Sequence, residues 1–138
     1  MDIRVFLADD HVAIRRALRD LLEAQVNLTV VGEAANGLDV VDQTTQVRPD
    51  VVVLDASMPG INGFEAAQRI RRASPSTKVI MVSMHLSRQH VSQAMRAGAD
   101  GYVLKESAGA EIVNAIRTVR NGSVYLSPEL TELVGEPA

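Results

Sequence analysis

The sequence predicts an α/β fold, a doubly wound five-stranded parallel sheet with helices on both faces. Three observations carry this reading. Short apolar runs alternate five times with segments of helical periodicity, the pattern of βαβ units. One run, Val51-Val52-Val53-Leu54, offers no polar face at all, as expected of a strand buried on both sides. Four of the five runs end on polar or charged residues, and parallel strands bring such ends together along one edge of the sheet.

Taken in order, Ile3 to Ala8 is the first strand and runs into Asp9-Asp10. Asp10 is expected to cap a helix whose apolar stripe is Ile14, Ala17, Leu18, Leu21 and Leu22, ending near Gln25. Leu28 to Ala34 is the second strand, and Asn36-Gly37 turns the chain into a helix over about residues 38 to 47, stopped by Pro49. The central strand ends on Asp55, followed by the turn-forming segment Ala56-Ser57-Met58-Pro59-Gly60-Ile61-Asn62-Gly63. A helix from roughly Gly63 to Arg72 closes at Ser74-Pro75, and Lys78 to Ser83 is the fourth strand. The helix around Arg88 to Ala97 turns Val91, Ala94 and Met95 inward and ends at Gly98. Gly101 to Lys105 is a short fifth strand ending on a cation. Ser107 is expected to cap a helix carrying Ile112, Ala115, Ile116 and Val119, closed by Asn121-Gly122. Ser127-Pro128-Glu129 reads as one more helix start, with a capping serine before proline at the first helical position.

Composition narrows the function classes. The 138 residues suit one domain, and 46% apolar content is enough for a core. Without cysteine there are no disulfides or thiolate metal sites, and the cytosol is the expected compartment. No apolar run reaches the roughly 18 residues of a membrane span, and Met1-Asp2-Ile3-Arg4 leads straight into a strand, so neither an anchor nor a signal peptide is expected. A formal charge of -3 gives this chain by itself no electrostatic reason to bind nucleic acid.

The strand ends place Asp9, Asp10, Asp55, Ser83 and Lys105 along one edge. Singly, each has an ordinary explanation: Asp10 a helix cap, Ser83 a strand-end hydroxyl, Lys105 a solvated terminus. Together they form a charge pattern that needs a cation, because three carboxylates in one pocket repel. With oxygen donors and neither cysteine nor an obvious histidine set, the ion of choice is Mg²⁺. His11 is expected merely at a helix start, His85 and His90 on the surface, none with a metal partner at ligand spacing. Lys105 supplies a point charge and Ser83 a hydroxyl suited to phosphoryl oxygens. An Asp nucleophile in that company indicates acyl phosphate chemistry. The Arg69, Arg71 and Arg72 cluster reads as a solvated helix face, with a partner-facing patch as the alternative.

Asp9-Asp10, Leu54-Asp55-Ala56-Ser57-Met58-Pro59, Gly63, Ser83 and Lys105 together resemble the receiver domain of two-component response regulators. Val82-Ser83-Met84-His85, the run Gly98 to Glu106 and the run Asn121 to Pro128 further resemble the NarL/FixJ subfamily, in which a LuxR-type helix-turn-helix domain normally follows. The resemblance implies a flavodoxin-like strand order 2-1-3-4-5 and a signalling protein that accepts a phosphoryl group from a histidine kinase on Asp55. It implies that Asp10, Asp55 and the backbone carbonyl of Ser57 hold Mg²⁺, with Asp9 acting through water. Ser83 and Lys105 would take phosphoryl oxygens, and Tyr102 would swing inward as the switch aromatic. The response would be homodimerisation, through the helix at 88–97, the fifth strand and the helix at 108–120.

The expected organisation is a receiver over residues 1–124, with 125–138 the start of a linker or extra helix toward an absent DNA-binding domain. The chain is thus expected to be cut from a longer regulator, a natural stand-alone receiver being the alternative. An aspartyl-nucleophile phosphatase of the haloacid dehalogenase type is the rival from another class. It needs a second Asp two residues after the nucleophile as general acid, and that position is Ser57. A pure interaction module is the third reading, against which the intact acids, Ser83 and Lys105 argue.

Overall fold

The strand Val51–Asp55, β3, lies at the centre of the sheet with all five residues buried. The computed structural model describes residues 2–135; Met1 and residues 136–138, at the outer ends of the segments 1–124 and 125–138, lie outside the described residues. In chain order the elements are β1 (Ile3–Ala8), α1 (Val12–Glu23), β2 (Leu28–Ala34), α2 (Gly37–Val47), β3, α3 (Gly63–Ala73), β4 (Lys78–Ser83), α4 (Arg88–Arg96) and β5 (Gly101–Leu104). A 3₁₀ turn at Lys105–Ser107 then leads into α5 (Ala108–Arg120), β6 (Tyr125–Leu126) and α6 (Pro128–Val134). All pairings are parallel, in the order β2-β1-β3-β4-β5-β6. This is the expected doubly wound, flavodoxin-like sheet with one strand added.

The two-residue period of the strands sorts their side chains onto two faces. Phe6, Val52, Leu54, Val79, Met81, Tyr102 and Leu104 pack with α2, α3 and α4 on one side. Val5, Leu7, Val51, Val53, Ile80, Val82 and Val103 pack with α1 and α5 on the other. Two apolar layers therefore clamp β3, which explains why it has no polar residue before Asp55.

The sixth strand corrects the five-stranded expectation. Gly122, at φ +91°, supplies the left-handed turn after α5 that returns the chain to the sheet, where Tyr125 and Leu126 pair with Gly101 and Tyr102. A strand of two residues has no periodicity to read. Its consequence is that β5 is interior to the sheet, and α6 folds back across α4 with Leu130 fully buried in the core. The face expected to mediate pairing is thus built partly from β6 and α6.

Three caps differ from expectation. Asp10 caps nothing, since α1 begins after His11 and no side chain closes it. Of the expected stripe, Ile14 and Ala17 are exposed while Leu18 and Leu22 are buried, so only the second half of α1 packs on the sheet. Ser107 makes no cap because the 3₁₀ turn already holds it near helical geometry, at φ -104° and ψ 0°, where its hydroxyl faces no free helix N–H. Ser127 is diverted to the sheet: its Oγ accepts the Leu104 N–H at 3.0 Å and its own N–H donates to the Tyr102 carbonyl at 3.1 Å.

Candidate functional site

Strand register assembles the site. Ala8 pairs with Leu54, so Asp9 emerges from β1 beside Asp55 at the end of β3; Ser83 pairs with Leu104, so Lys105 emerges next to the end of β4. The loop that follows Asp55 is then held by the close approach of α3. The Gly63 N–H donates to the Ala56 carbonyl at 3.1 Å, and a Cβ on Gly63 would lie 2.6 Å from the Ala56 Cα. Only glycine fits there.

Asp55 is 2% exposed, and its carboxylate is fully engaged. Oδ2 accepts from Lys105 Nζ at 3.0 Å, while Oδ1 accepts from the Ser57 N–H at 3.2 Å and from Ser57 Oγ at 3.3 Å. Lys105 Nζ also lies 3.6 Å from Asp9 Oδ2. One ammonium thus faces two buried carboxylates, and Asp10 adds a third, more exposed one. Burial pushes the Asp9 carboxyl above the ordinary carboxylate value, against the hydrogen bond from the His11 N–H at 2.8 Å, and the charge of Asp55 pushes the same way.

Ser83 is buried at the end of β4, where its Oγ accepts the His85 N–H at 3.1 Å. With Ala56, Ser57, Phe64, Met84, His85 and His90 it lines a hollow of about 120 Å³ beside Asp55. A larger hollow of about 410 Å³ opens on the other side of Lys105, between His11, Ile14, Met84, Leu86, Leu104 and Glu106. Met84 is 77% exposed and stands on the rim of both.

Tyr102 corrects the picture of an outward ring awaiting a signal. Its side chain is already fully buried in the layer beneath α4, and its hydroxyl donates to the His85 carbonyl at 2.8 Å. Because β6 covers β5, Tyr102 lies on an interior strand of the sheet.

The residue that sequence reasoning missed is His11. Its Nδ1 lies 3.0 Å from Asp9 Oδ1, 3.3 Å from Asp10 Oδ1, 3.8 Å from Asp55 Oδ2 and 3.0 Å from Lys105 Nζ. Asp9, Asp10, His11 and Asp55 each offer a ligand atom within 4.8 Å of the others, which overturns the expectation that no histidine has a metal partner. The available signal was adjacency: a residue directly after Asp9-Asp10, in the turn before a helix, is carried to the same edge. His85 is exposed as expected, and stacks on His90 with ring centroids 4.0 Å apart. Arg69 pairs with Glu65 along its own exposed helix face, and Arg71 lies 3.7 Å from Asp100.

The donor set fits a divalent cation. Three carboxylates outnumber the single lysine, and their oxygens suit a hard ion such as Mg²⁺. This acid and lysine set, at the strand ends of a flavodoxin-like sheet, is the arrangement that the sequence resemblance implied. The chain matches the response regulator receiver domain over residues 5–117, and it belongs to that family.

Similarity to individual proteins agrees. The response regulator UvrY of Escherichia coli K12 is 40% identical over 130 residues, covering 94% of this chain and 60% of UvrY. A LuxR-family two-component response regulator from Aurantimonas shares its structure at a TM-score of 0.91 with 34% identity, over 96% of this chain and 94% of that one. The isolated receiver domain of RcsB from Salmonella enterica serovar Typhimurium, solved with the phosphomimetic BeF₃⁻, matches at a TM-score of 0.87 with 25% identity, over 96% of this chain and 99% of that one. The chain spans about 60% of the length of the curated relatives it matches. It is a receiver domain of the LuxR/NarL type, and such domains are signalling proteins, not classical enzymes. Among the described residues no helix is long and apolar enough to cross a membrane.

Proposed function

We propose that Asp55 is the phosphoacceptor and that a sensor histidine kinase is the donor, in the cytoplasm. The observation that carries this is the buried Asp55 carboxylate bonded to Lys105 at the shared edge of β1, β3 and β5. An Asp55 oxygen attacks the phosphorus, a new carboxyl–phosphate bond forms, and the bond from phosphorus to the donor breaks. Lys105 stands ready to follow the incoming phosphoryl oxygens, and Ser83 offers its hydroxyl hydrogen, since its own Oγ accepts from His85. Asp9, Asp10, Asp55 and the Ser57 carbonyl would hold Mg²⁺, which when bound offsets the negative charge of acid and phosphate.

Phosphorylation adds about -1.5 to -2 charges and three acceptor oxygens. Drawing Ser83 toward them pulls on the β4–α4 loop, whose His85 carbonyl holds the Tyr102 hydroxyl. Tyr102 and Ser83 thereby form the switch, with its readout in pairing of two copies. The receiver comprises residues 1–124 together with β6 and α6, which complete its sheet and core, and in a longer regulator it would govern a helix-turn-helix domain that contacts DNA.

Acetyl phosphate labelling with Mg²⁺ tests the reading. Stable label that disappears in Asp55→Asn is the expected result. Rapid turnover would make the chain a phosphatase, no label an interaction module, and full label in Asp55→Asn would remove the assignment.

A further inference from the structure

We propose, resting on the reading of Asp10 as a ligand of the strand-end cation, that Arg15 is a positioning residue of the site. Its guanidinium fixes the peptide plane between Asp9 and Asp10, and through it the place of the Asp10 carboxylate.

Asp10 needs such support. It caps no helix, its side chain is 34% exposed, and it lies 3.3 Å from a His11 ring that is itself 54% exposed. Contacts between exposed side chains hold neither partner firmly, so the backbone has to place this acid. Here the backbone belongs to no ladder. Pairing with β2 ends where the Asp9 N–H donates to the Ala34 carbonyl at 3.1 Å, and the first bond of α1 runs from the Arg15 N–H to the His11 carbonyl at 2.9 Å. The Asp9 carbonyl lies between the two and accepts from Arg15 Nη1. Because a peptide is planar, a bond to that oxygen orients the whole plane, the Asp10 nitrogen and Cα included.

Arg15 is itself held. Its Nε donates to Glu33 Oε1 at 2.9 Å, and Arg19 bonds the other oxygen of the same carboxylate. Glu33 stands opposite Leu7 in the pairing of β1 with β2, one step before the ends of both strands. The Arg15 side chain is only 17% exposed, and it shares with Leu18, Val82, Asp9 and Asp55 the lining of a void of about 10 Å³. A planar guanidinium with Nε on a β2 carboxylate and Nη1 on a carbonyl of the β1–α1 turn is a strut of fixed length and angle, which a lysine ammonium is not.

The sign of the effect on Mg²⁺ separates position from charge. Arg15→Gln removes a positive charge beside the cation site, and by Coulomb's law alone that tightens Mg²⁺ binding, whereas a displaced Asp10 weakens it. Calorimetric titration of the intact chain with Mg²⁺ should show Arg15→Gln about tenfold weaker than wild type, and Arg15→Lys, which keeps the charge without the fork, about threefold weaker. In metal-free buffer the His11 amide, bonded at 2.8 Å to the Asp9 carboxylate, should exchange about tenfold faster in Arg15→Gln while the amides of β3 keep their wild-type rates. Wild-type or tighter Mg²⁺ binding in either folded variant overturns the proposal, and so does faster exchange spread over β3, the mark of a merely structural arginine. Asp10→Ala keeps the two readings apart. If it leaves Mg²⁺ affinity unchanged, the cation-site reading fails and the role of Arg15 with it; a loss in Asp10→Ala with none in Arg15→Gln overturns the positioning role alone.

Discussion

Replacing Tyr102 by Phe separates what the ring contributes from what the hydroxyl contributes. The ring is fully buried among Met81, Leu104, Val91 and Leu130 of one core layer, and Phe keeps nearly all of that packing. The hydroxyl makes one hydrogen bond, 2.8 Å to the His85 carbonyl. A net hydrogen bond stabilises by about 0.5–1.5 kcal/mol, and because His85 is exposed, water can take over its carbonyl, placing Tyr102→Phe toward the low end. Tyr102→Ala instead removes the whole aromatic body and leaves a cavity, for a loss of about 3–5 kcal/mol, comparable to truncating a buried Phe. Against a total stability of about 5–15 kcal/mol, the first variant stays folded and the second is severely weakened. Urea unfolding of both variants, with midpoints and slopes compared, is the assay. A Phe variant as unstable as the Ala variant would refute the reasoning, because the hydroxyl would then outweigh the ring.

Three other outcomes are expected. Burial raises the Asp9 carboxyl, so its charged form destabilises the fold at neutral pH and the penalty fades as pH falls through that raised value. In metal-free buffer Asp9→Asn, which keeps an acceptor for the His11 N–H, should therefore stabilise at neutral pH and lose this advantage below the ordinary value of 3.8; an advantage independent of pH would count against the cause given. Leu130→Ala should cost roughly 2–3 kcal/mol, the low end for buried leucine because α6 is short, and should speed amide exchange over residues 126–134; unchanged exchange would mean that Leu130 does not anchor the segment. Met84→Ala should shorten the life of the acyl phosphate, since the side chain stands on the rim of the hollow lined by Ala56, Ser57 and Ser83 beside Asp55, and decay of labelled protein at the wild-type rate would remove its shielding role.

Much of this protein was legible without coordinates, because the signals were long or local. Val51 to Leu54 could only be a doubly covered strand, and the alternation of runs and helical stripes imposed a parallel sheet whose carboxyl edge had to gather Asp9, Asp10, Asp55, Ser83 and Lys105. Parallel strand direction makes that convergence unavoidable. What the tertiary structure alone decided lies where side-chain direction or sheet closure matters. Asp10 has capping chemistry but lies one residue before the N-cap position, which His11 takes, Ser107 is already near helical geometry, and Ser127 accepts an N–H of β5 instead. Tyr102 is interior because two residues, Tyr125 and Leu126, complete the sheet beside it. His11 joins the acidic site because an extended turn aims its ring back across the strand ends. Periodicity reports which face a residue shares with its neighbours in sequence; it carries no information about which distant group will stand 3.0 Å away.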